Sequence, residues 1–208
     1  MHTRQYIAWA RELAALSQTG LTFSQIEYDR ERYTRMGAIA AEMLAAASDV
    51  PLETVRGWHA AEFGYATPKV DVRGVVFRED KLLLVREIMD AGRWTLPGGW
   101  ADVNDAPSDA VLREIREESG FESRIVRLLA VLDREKQGHE PPFPFHIYKL
   151  FFQCEITGGE ATPNHEADEI AFFGVDELPE LSVSRVTKAQ IVHFFRVAEE
   201  AGAPVWFD

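Results

Sequence analysis

Three glutamates near the middle of this 208-residue chain, Glu114, Glu117 and Glu118, have a spacing that suggests chemistry. In an α-helix of 3.6 residues per turn they share one arc about 100° wide, and Val111 and Ile115 lie on another arc, which is apolar. Like charges three or four positions apart destabilise a helix by about 0.2–0.5 kcal/mol per pair. Because a cation would compensate this cost, the pattern indicates a cation-binding face.

A solvated helix face is the alternative, with Arg113 pairing to Glu117 and Arg116 shielding the rest, because charge runs on helices usually face water. The segment 96–99, LPGG, favours a site, since glycines let a chain pass close to a ligand. Hard cations such as Mg²⁺ take oxygen ligands from protein, water and substrate phosphates. The glutamates and glycines together favour a divalent metal site.

The stretch 98–121, GGWADVNDAPSDAVLREIREESGF, resembles the Nudix box, G-x5-E-x7-R-E-U-x-E-E-x-G-U, where U is a bulky apolar residue. The matching residues are Gly99, Arg113, Glu114, Ile115, Glu117, Glu118, Gly120 and Phe121. Asp105 departs from the pattern, because it stands where the family has a glutamate that pairs with the box arginine, here Arg113. The departure puts the rigidity of the loop in question more than the chemistry.

The resemblance implies hydrolysis of a pyrophosphate bond in a nucleoside diphosphate linked to a second group X, which gives a nucleoside monophosphate and phosphoryl-X. It implies Mg²⁺, with Mn²⁺ as the alternative, held by the residues Gly98, Glu114, Glu117 and Glu118. These glutamates are also catalytic candidates, together with Glu166. Either Glu114 or an acid of PNHEADEIAFF, the mobile Glu166 or the strand residue Glu169, would accept the proton of the attacking water; a solvated loop acid is the alternative for the last two.

Four residues outside the box are candidates for binding the substrate: Arg86, Trp100, His146 and Tyr148. Arg86 can fork onto a phosphate, with a surface ion pair as the equal alternative. Trp100 can stack on a base, with a core position as the alternative. His146 and Tyr148 alternate along one strand and can line a pocket, although a single histidine is more often structural.

The elements that would position these residues can be read from periodicity. A helix follows Asp105 or Ala106 as N-cap, with Pro107 in its first turn and Gly120 closing it in the left-handed conformation. Strands are predicted over 70–77, 81–88, 146–156 and 170–175, a turn at 79–80, and a final helix over 186–200 that starts near Ser184 or Thr187. The resemblance implies an α/β fold, an α/β/α sandwich around a mixed sheet.

Helical periodicity dominates the chain before this region, in three segments, of which the first is predicted to end at Gly20. We therefore expect a small all-helical domain over 1–66, for dimerisation and substrate recognition, and a Nudix domain over 67–208. This order resembles the Nudix subgroup that includes CDP-choline pyrophosphatase. CDP-choline is then the expected substrate and ADP-ribose its rival, because aromatic faces with acids nearby can hold a quaternary ammonium. Packing in the helix core is the alternative role for each aromatic. The aromatics are Trp9, Tyr28, Tyr33, Trp58, Phe63 and Tyr65.

Composition limits the classes of protein to consider. A net charge of −12 makes general nucleic-acid binding an unfavoured function, while a nucleotide in a local pocket remains compatible. The single cysteine, Cys154, excludes a disulfide within the chain and is expected to be buried. With no long apolar stretch or signal-peptide pattern, we expect a cytoplasmic protein that acts on small molecules and not at a membrane. The apolar stripes of the N-terminal helices predict a homodimer, with packing against the Nudix domain as the alternative. A catalytically idle nucleotide-sensing protein is the competing class.

Overall fold

A computed structural model of the chain describes residues 3–48, 50–198, 200 and 202–208. These residues form two compact units. The chain up to residue 68 makes the first unit together with 142–146, and the segments 69–141 and 147–208 make the second. Among the described residues, no helix combines the length and the apolar character that a membrane span requires.

Three helices make up the first unit: α1 (Thr3–Phe23), α2 (Glu27–Ala47) and α3 (Leu52–Ala61). Their buried side chains are Ile7, Ala10, Ala41, Leu44 and Val55. The segment 142–146 belongs here because Phe145 stacks on Trp58 at 5.3 Å between ring centroids and its carbonyl accepts a hydrogen bond from Arg11 Nη1 at 3.1 Å. These contacts join residues far apart in sequence, so a boundary drawn along the chain misses them.

Gly20 does not end α1, contrary to the sequence prediction, because the helix continues to Phe23. The reason for a glycine at this position is packing. A Cβ atom at Gly20 would lie 2.5 Å from the ring of Tyr33 in α2, closer than real Cβ contacts allow. The glycine therefore lets the two helices of the hairpin approach each other.

The second unit contains a seven-stranded mixed sheet. Its strands are β1 (Lys69–Arg78), β2 (Lys81–Glu87), β3 (Arg93–Thr95), β4 (Phe121–Asp133), β5 (Ile147–Gly159), β6 (Ala167–Phe173) and β7 (Trp206–Phe207). The order is β3-β2-β1-β5-β4-β7, and β6 also pairs with β2. Strands β1 and β5 are parallel, as are β4 and β7, while the other pairs are antiparallel.

Two helices cover opposite faces of this sheet, α4 (Pro107–Ser119) and α5 (Lys188–Ala198). Val111 and Ile115 of α4 pack with Val72, Val76 and buried Cys154. On the other face α5 packs against a second set: Val75, Leu84, Trp94, Leu132 and Phe151. This arrangement confirms the expected α/β class, a mixed sheet between helices preceded by a helical region.

Two elements of the second unit, helix α5 and strand β4, differ from the sequence expectation. Helix α5 begins at Lys188, where Thr187 Oγ1 accepts a hydrogen bond from Gln190 N at 3.3 Å and so caps the helix. The helix ends at Ala198; residue 199, within the expected range, lies outside the described residues. The long strand β4 has no counterpart in the sequence prediction.

Candidate active site

A glycine turn brings the chain against the sheet just before α4. The segment 96–101 runs alongside β1, where Gly74 N donates to Pro97 O and Val72 N donates to Gly99 O, both at 2.8 Å. Gly98 has a φ of +138°, and a Cβ atom there would lie 2.1 Å from Val72 O. No other residue fits this position, so the turn depends on glycine.

The second glycine of the turn contacts a predicted ligand. A Cβ atom at Gly99 would lie 3.0 Å from Glu114 Oε2, so the carboxylate lies directly against the backbone. Helix α4 begins after Ala106, which offers no side-chain cap, and Pro107 occupies the first turn. Gly120 ends it with φ +78° and donates from its N–H to Arg116 O at 2.9 Å. Turn and helix together place the box residues.

Glu118 is the most deeply buried of the three glutamates, with 6% of its surface exposed. Its Oε2 accepts a hydrogen bond from Gly98 N at 2.8 Å. Burial raises the pKa of Glu118 to about 8, although the charge of Arg73 and the Gly98 N–H oppose the shift. Burial also raises the pKa of Glu114, against the opposing charge of Arg113. At both carboxyl groups the effect of burial on the pKa therefore outweighs that of the nearby positive charge.

Arg113 links the acids of the box. Its Nη1 donates to Glu114 Oε1 and to Glu117 Oε2, both at 2.9 Å, and its Nε donates to Asp105 Oδ2 at 3.3 Å. Asp102 adds an ion pair to Nη2 at 3.3 Å. Burial would lower the pKa of Arg113, but the hydrogen bond to Glu117 and the charge of Glu114 raise it on balance. Both expected pairings of Arg113, with Asp105 and with Glu117, are present.

Whether these residues suit a divalent cation can be tested on the geometry. Among residues 3–48, 50–198, 200 and 202–208, no three acidic, histidine or cysteine side chains converge as a ready ligand set. Arg113 Nη1 bonds one oxygen of Glu114 and one of Glu117, so the guanidinium engages both carboxylates. The donor atoms themselves fit a divalent cation, because they are hard carboxylate oxygens on residues within about one turn of the helix. A cation would also offset the desolvation of Glu114 and Glu118. The chemistry of these donors therefore fits a hard divalent cation.

A buried ionic network supports the glycine turn from β1. Arg73 forms a two-pronged ion pair with Asp71, Nε to Oδ1 at 3.0 Å and Nη2 to Oδ2 at 2.8 Å, and Nη1 donates to Leu96 O at 3.1 Å. Lys149 of β5 binds the same Asp71, and its pKa is lowered to about 8 by burial, against the attraction of that carboxylate. The sequence reading missed Arg73 and Asp71; polar residues inside a predicted buried strand were the available signal.

Two of the three candidate bases, Glu166 and Glu169, lie at the start of β6, and the third, Glu114, lies in α4. Glu166 is 60% exposed at its side chain and lies 3.4 Å from His165 Nε2, while its backbone carbonyl accepts from Ile88 N at 3.0 Å. Glu169 pairs with Arg86 Nη1 at 2.8 Å. Glu166 thus has a fixed backbone and a carboxylate at the surface, whereas Glu169 is bound in an ion pair.

The substrate-binding candidates are dispersed over the elements. Arg86 forks onto Asp168, with Nε to Oδ1 at 2.8 Å and Nη2 to Oδ2 at 3.1 Å, which is the ion pair considered as its alternative role. Trp100 lies directly after the glycine turn and is 45% exposed, and its backbone forms an isolated antiparallel β-bridge with that of Asp71. Tyr148 lies exposed in β5, and His146 belongs to the first unit.

The sequence reading also missed Asn164, in the loop before β6. Its side-chain Nδ2 donates to the carbonyl oxygens of Glu117 and Glu118 at 2.8 and 3.1 Å. The residue follows Pro163 in a polar loop, a context that predicts a turn but not a partner.

Known families and proteins match both parts of the chain. Residues 67–195 match the NUDIX domain, and residues 4–59 match the UDP-X-like N-terminal oligomerisation domain. The chain is 42% identical over 204 residues to the putative ADP-ribose pyrophosphatase YjhB of Bacillus subtilis, covering 98% of this chain and 97% of that protein.

Two crystal structures give the same result. A UDP-X diphosphatase is 34% identical, with a TM-score of 0.62 and complete coverage of both chains. An ADP-ribose pyrophosphatase of Streptococcus suis is 37% identical, with a TM-score of 0.62, over 68% of this chain and 100% of that one. With the box geometry and the matched domain, these findings confirm the resemblance: the chain belongs to the Nudix hydrolase family.

Proposed function

We propose that this protein is a Mg²⁺-dependent pyrophosphohydrolase that cleaves a nucleoside diphosphate linked to a second group, with ADP-ribose as the leading substrate. The carrying observation is a pair of box carboxyls, the half-buried Glu114 and the buried Glu118, each with a raised pKa and each lying against the glycine turn. Such desolvated acids destabilise the fold unless a cation compensates them. An idle nucleotide-sensing protein would gain nothing from retaining them.

Glu114, Glu117 and Glu118 would hold the cation, together with the Gly98 carbonyl. When bound, Mg²⁺ neutralises phosphate charge and lowers the pKa of a coordinated water. Arg113 would move from Glu114 and Glu117 towards Asp105 and Asp102, its two other partners.

Proton transfer needs a base at the surface of the site. Glu166 suits this role because its carboxylate is exposed and free of the ion pair that binds Glu169. Water attacks one phosphorus and gives its proton to the Glu166 carboxylate, and the P–O bond to the bridging oxygen breaks. The products are a nucleoside monophosphate and phosphoryl-X. Trp100 is proposed to stack on the base, and Arg86 and Tyr148 to contact the phosphates or X.

ADP-ribose leads because a relative that matches 98% of this chain, and a solved structure that covers 68% of it, both carry that activity in their names. CDP-choline is the second candidate. Tyr28, Phe63 and Tyr65 are exposed in the first unit, among the acids Glu27 and Glu62, and aromatic faces with nearby negative charge bind a quaternary ammonium. Trp58 is used in packing against Phe145 and is a poorer cage residue.

We also propose that the protein is a homodimer joined through α1. Trp9, Leu16 and Phe23 recur every seven residues and are 44%, 51% and 65% exposed. A heptad stripe of apolar residues suits packing against another helix, and the match to an oligomerisation domain supports a second copy as the partner.

If α1 forms the dimer interface, charged residues introduced into its apolar stripe should separate the two copies. Replacing Trp9 and Leu16 by glutamate should convert the full chain to a monomer in sedimentation velocity, while Arg56→Glu on α3 should leave it dimeric. A wild-type chain that sediments as a monomer at micromolar concentration would refute this part of the proposal.

The substrate proposal is tested by comparing kcat/KM for ADP-ribose, CDP-choline, CDP-ethanolamine and a UDP-linked sugar at one Mg²⁺ concentration. ADP-ribose should give AMP and ribose 5-phosphate with the highest value. If CDP-choline exceeds both ADP-ribose and CDP-ethanolamine, and Tyr28→Leu narrows the gap to ethanolamine, the choline cage replaces ADP-ribose as the assignment.

A further inference from the structure

We propose that Asn164 is a positioning residue for catalysis, whose amide fixes the loop bearing Glu166 to the last turn of α4. The inference rests on the proposed function, in which Glu166 accepts the proton of the attacking water. Asn164 acts through Glu166 and does not itself touch the reacting atoms.

The side chain of Asn164 makes four hydrogen bonds. Its Nδ2 donates to Glu117 O at 2.8 Å and Glu118 O at 3.1 Å, and its Oδ1 accepts from Glu166 N at 2.8 Å and Ala167 N at 2.9 Å. A primary amide offers two N–H donors and two acceptor positions, so these contacts use its full capacity. They also fix the orientation of the amide, because the flipped group would point oxygen at two carbonyls.

Three of these four partners are backbone groups of candidate functional residues, Glu117, Glu118 and Glu166. The last four carbonyl groups of a helix have no partner within the helix, and Asn164 satisfies those of Glu117 and Glu118. A capping role needs only the two donors. The acceptor side of the amide binds the backbone of Glu166 and its neighbour, so one residue joins the box glutamates to the candidate base.

The rest of the loop is anchored to the same helix end. Thr162 N donates to Ser119 O at 3.0 Å, and Asn164 N donates to Ala167 O at 2.8 Å. Gly120 allows this approach, because a Cβ atom there would lie 2.4 Å from Glu160 O. With its backbone fixed, Glu166 reaches the substrate by side-chain rotation alone, and reducing such freedom is how an enzyme preorganises a base.

Single variants test the position of the loop. Asn164→Ala should lower kcat at least about 10-fold and change KM by less than about 3-fold, because a displaced base affects the chemical step more than binding. The Mg²⁺ dissociation constant, measured by calorimetry, should change less than about 3-fold, since the carboxylates of α4 stay in place. Thr162→Ala is the matched control: its hydroxyl donates to Glu160 O within the same loop, and kcat should stay near the wild-type value.

A double-mutant cycle decides whether Asn164 acts through Glu166. Glu166→Gln should lower kcat about 10²-fold, and adding Asn164→Ala to it should cost less than about 2-fold more. If Asn164→Ala unfolds at assay temperature, Asn164→Asp, which keeps the acceptor for both loop N–H groups, takes its place. Multiplicative losses, an Asn164→Ala enzyme with wild-type kcat, or an unaffected Glu166→Gln enzyme would overturn the inference. A wild-type protein without Mg²⁺-dependent pyrophosphatase activity would instead overturn the proposed function.

Discussion

Two glutamates, the buried Glu118 and the half-buried Glu114, shape the site at the level of single residues. Glu118 accepts a hydrogen bond from Gly98 N, and Glu114 lies against Gly99, so the glycine turn and the acids of α4 define each other's position. Neither contact fully offsets burial, since the pKa of both carboxyls stays raised. The fold therefore holds an electrostatic strain that a bound cation relieves, and we expect Mg²⁺ to stabilise the protein against unfolding.

Asp105, which replaces the usual glutamate of the box pattern, can be tested by substitution. Its contact with Arg113 Nε is long, at 3.3 Å, and both side chains are partly exposed, at 34% and 26%. Asp105→Ala should therefore destabilise the protein by less than about 1 kcal/mol in urea unfolding, because Arg113 keeps its other partners. Asp105→Glu should leave kcat unchanged or raise it, because the longer side chain approaches the guanidinium more closely.

The same variants separate two roles for this acid. If Asp105→Ala abolishes Mg²⁺ binding in calorimetry while the urea midpoint is unchanged, Asp105 is a metal ligand and its assignment as a partner of Arg113 is wrong.

How far the sequence predicts the site depends on the kind of contact. The spacing of the glutamates and the position of the glycines are local features of the sequence, so they can be interpreted without a structure. The partners of Arg86 and Asn164 are not local: Asp168 lies 82 residues from Arg86, and Glu117 lies 47 residues from Asn164. Only the folded chain brings such pairs together, which is why Asn164 carried no signal in the sequence.

At the scale of elements, the approach of α1 and α2 depends on one glycine. An alanine at Gly20 would place its Cβ 2.5 Å from the ring of Tyr33, so Gly20→Ala should destabilise the protein by about 1–3 kcal/mol. Gly57 is the matched control within α3, where a Cβ atom meets nothing within 4 Å. Gly57→Ala should stabilise by about 0.5–1 kcal/mol, because alanine favours helix.

Thermal unfolding of both variants provides the comparison. Equal effects of the two substitutions would show that helix propensity, and not the contact with Tyr33, governs Gly20.

Strand β4 shows why some elements cannot be predicted from the periodicity of apolar residues. Its pairing with β5 is interrupted by register shifts at three places, between Glu122 and Ser123, between Ile125 and Arg127, and between Leu128 and Ala130. Each irregularity breaks the alternation of apolar and polar residues that predicts a strand. Strand β2 was predictable because its apolar run is continuous, and β1 and β5 because they are rich in β-branched and aromatic residues.

For the whole molecule, buried His139 predicts sensitivity to acid. Its Nδ1 donates to Val183 O and its Nε2 accepts from Gln190, so the folded site holds the neutral ring. Burial lowers the pKa of His139 to about 3, assisted by the charges of Lys149 and Arg134 and opposed by Asp71. An unfolded histidine binds a proton below pH 6.5, so the unfolded state gains protons first and stability falls from pH 6.5 towards pH 3.

The loss should reach several kcal/mol at the lower limit, on the order of 1.4 kcal/mol per pH unit. Urea unfolding at pH 7 and pH 4.5 measures it. His139→Gln, whose amide can keep both hydrogen bonds without titrating, should show a smaller difference between the two values. The same difference in both proteins would assign the acid sensitivity to other groups, such as Asp71, whose pKa is lowered to about 2 despite burial by the charges of Arg73 and Lys149.

The two units divide the work of the chain in this account. The first matches an oligomerisation domain and is proposed to bring two copies together, and the second contains the box. The described residues of the first unit also line a groove of about 530 Å³ along α2, bordered by charged residues such as Glu27, Arg30 and Arg35, which contains none of the box residues. Catalysis is therefore assigned to the second unit by its chemistry and not by the size of a cavity.

The most direct test of the account is turnover of ADP-ribose by the wild type, Glu117→Gln and Glu118→Gln across a Mg²⁺ titration, with products separated by chromatography. The wild type should form AMP and ribose 5-phosphate only with the metal. Each variant should remain folded and lose at least about 10²-fold in kcat, because stabilisation of phosphoryl charge is the main catalytic contribution of the site. Near-normal turnover by both variants would contradict the assignment of the box as the active site.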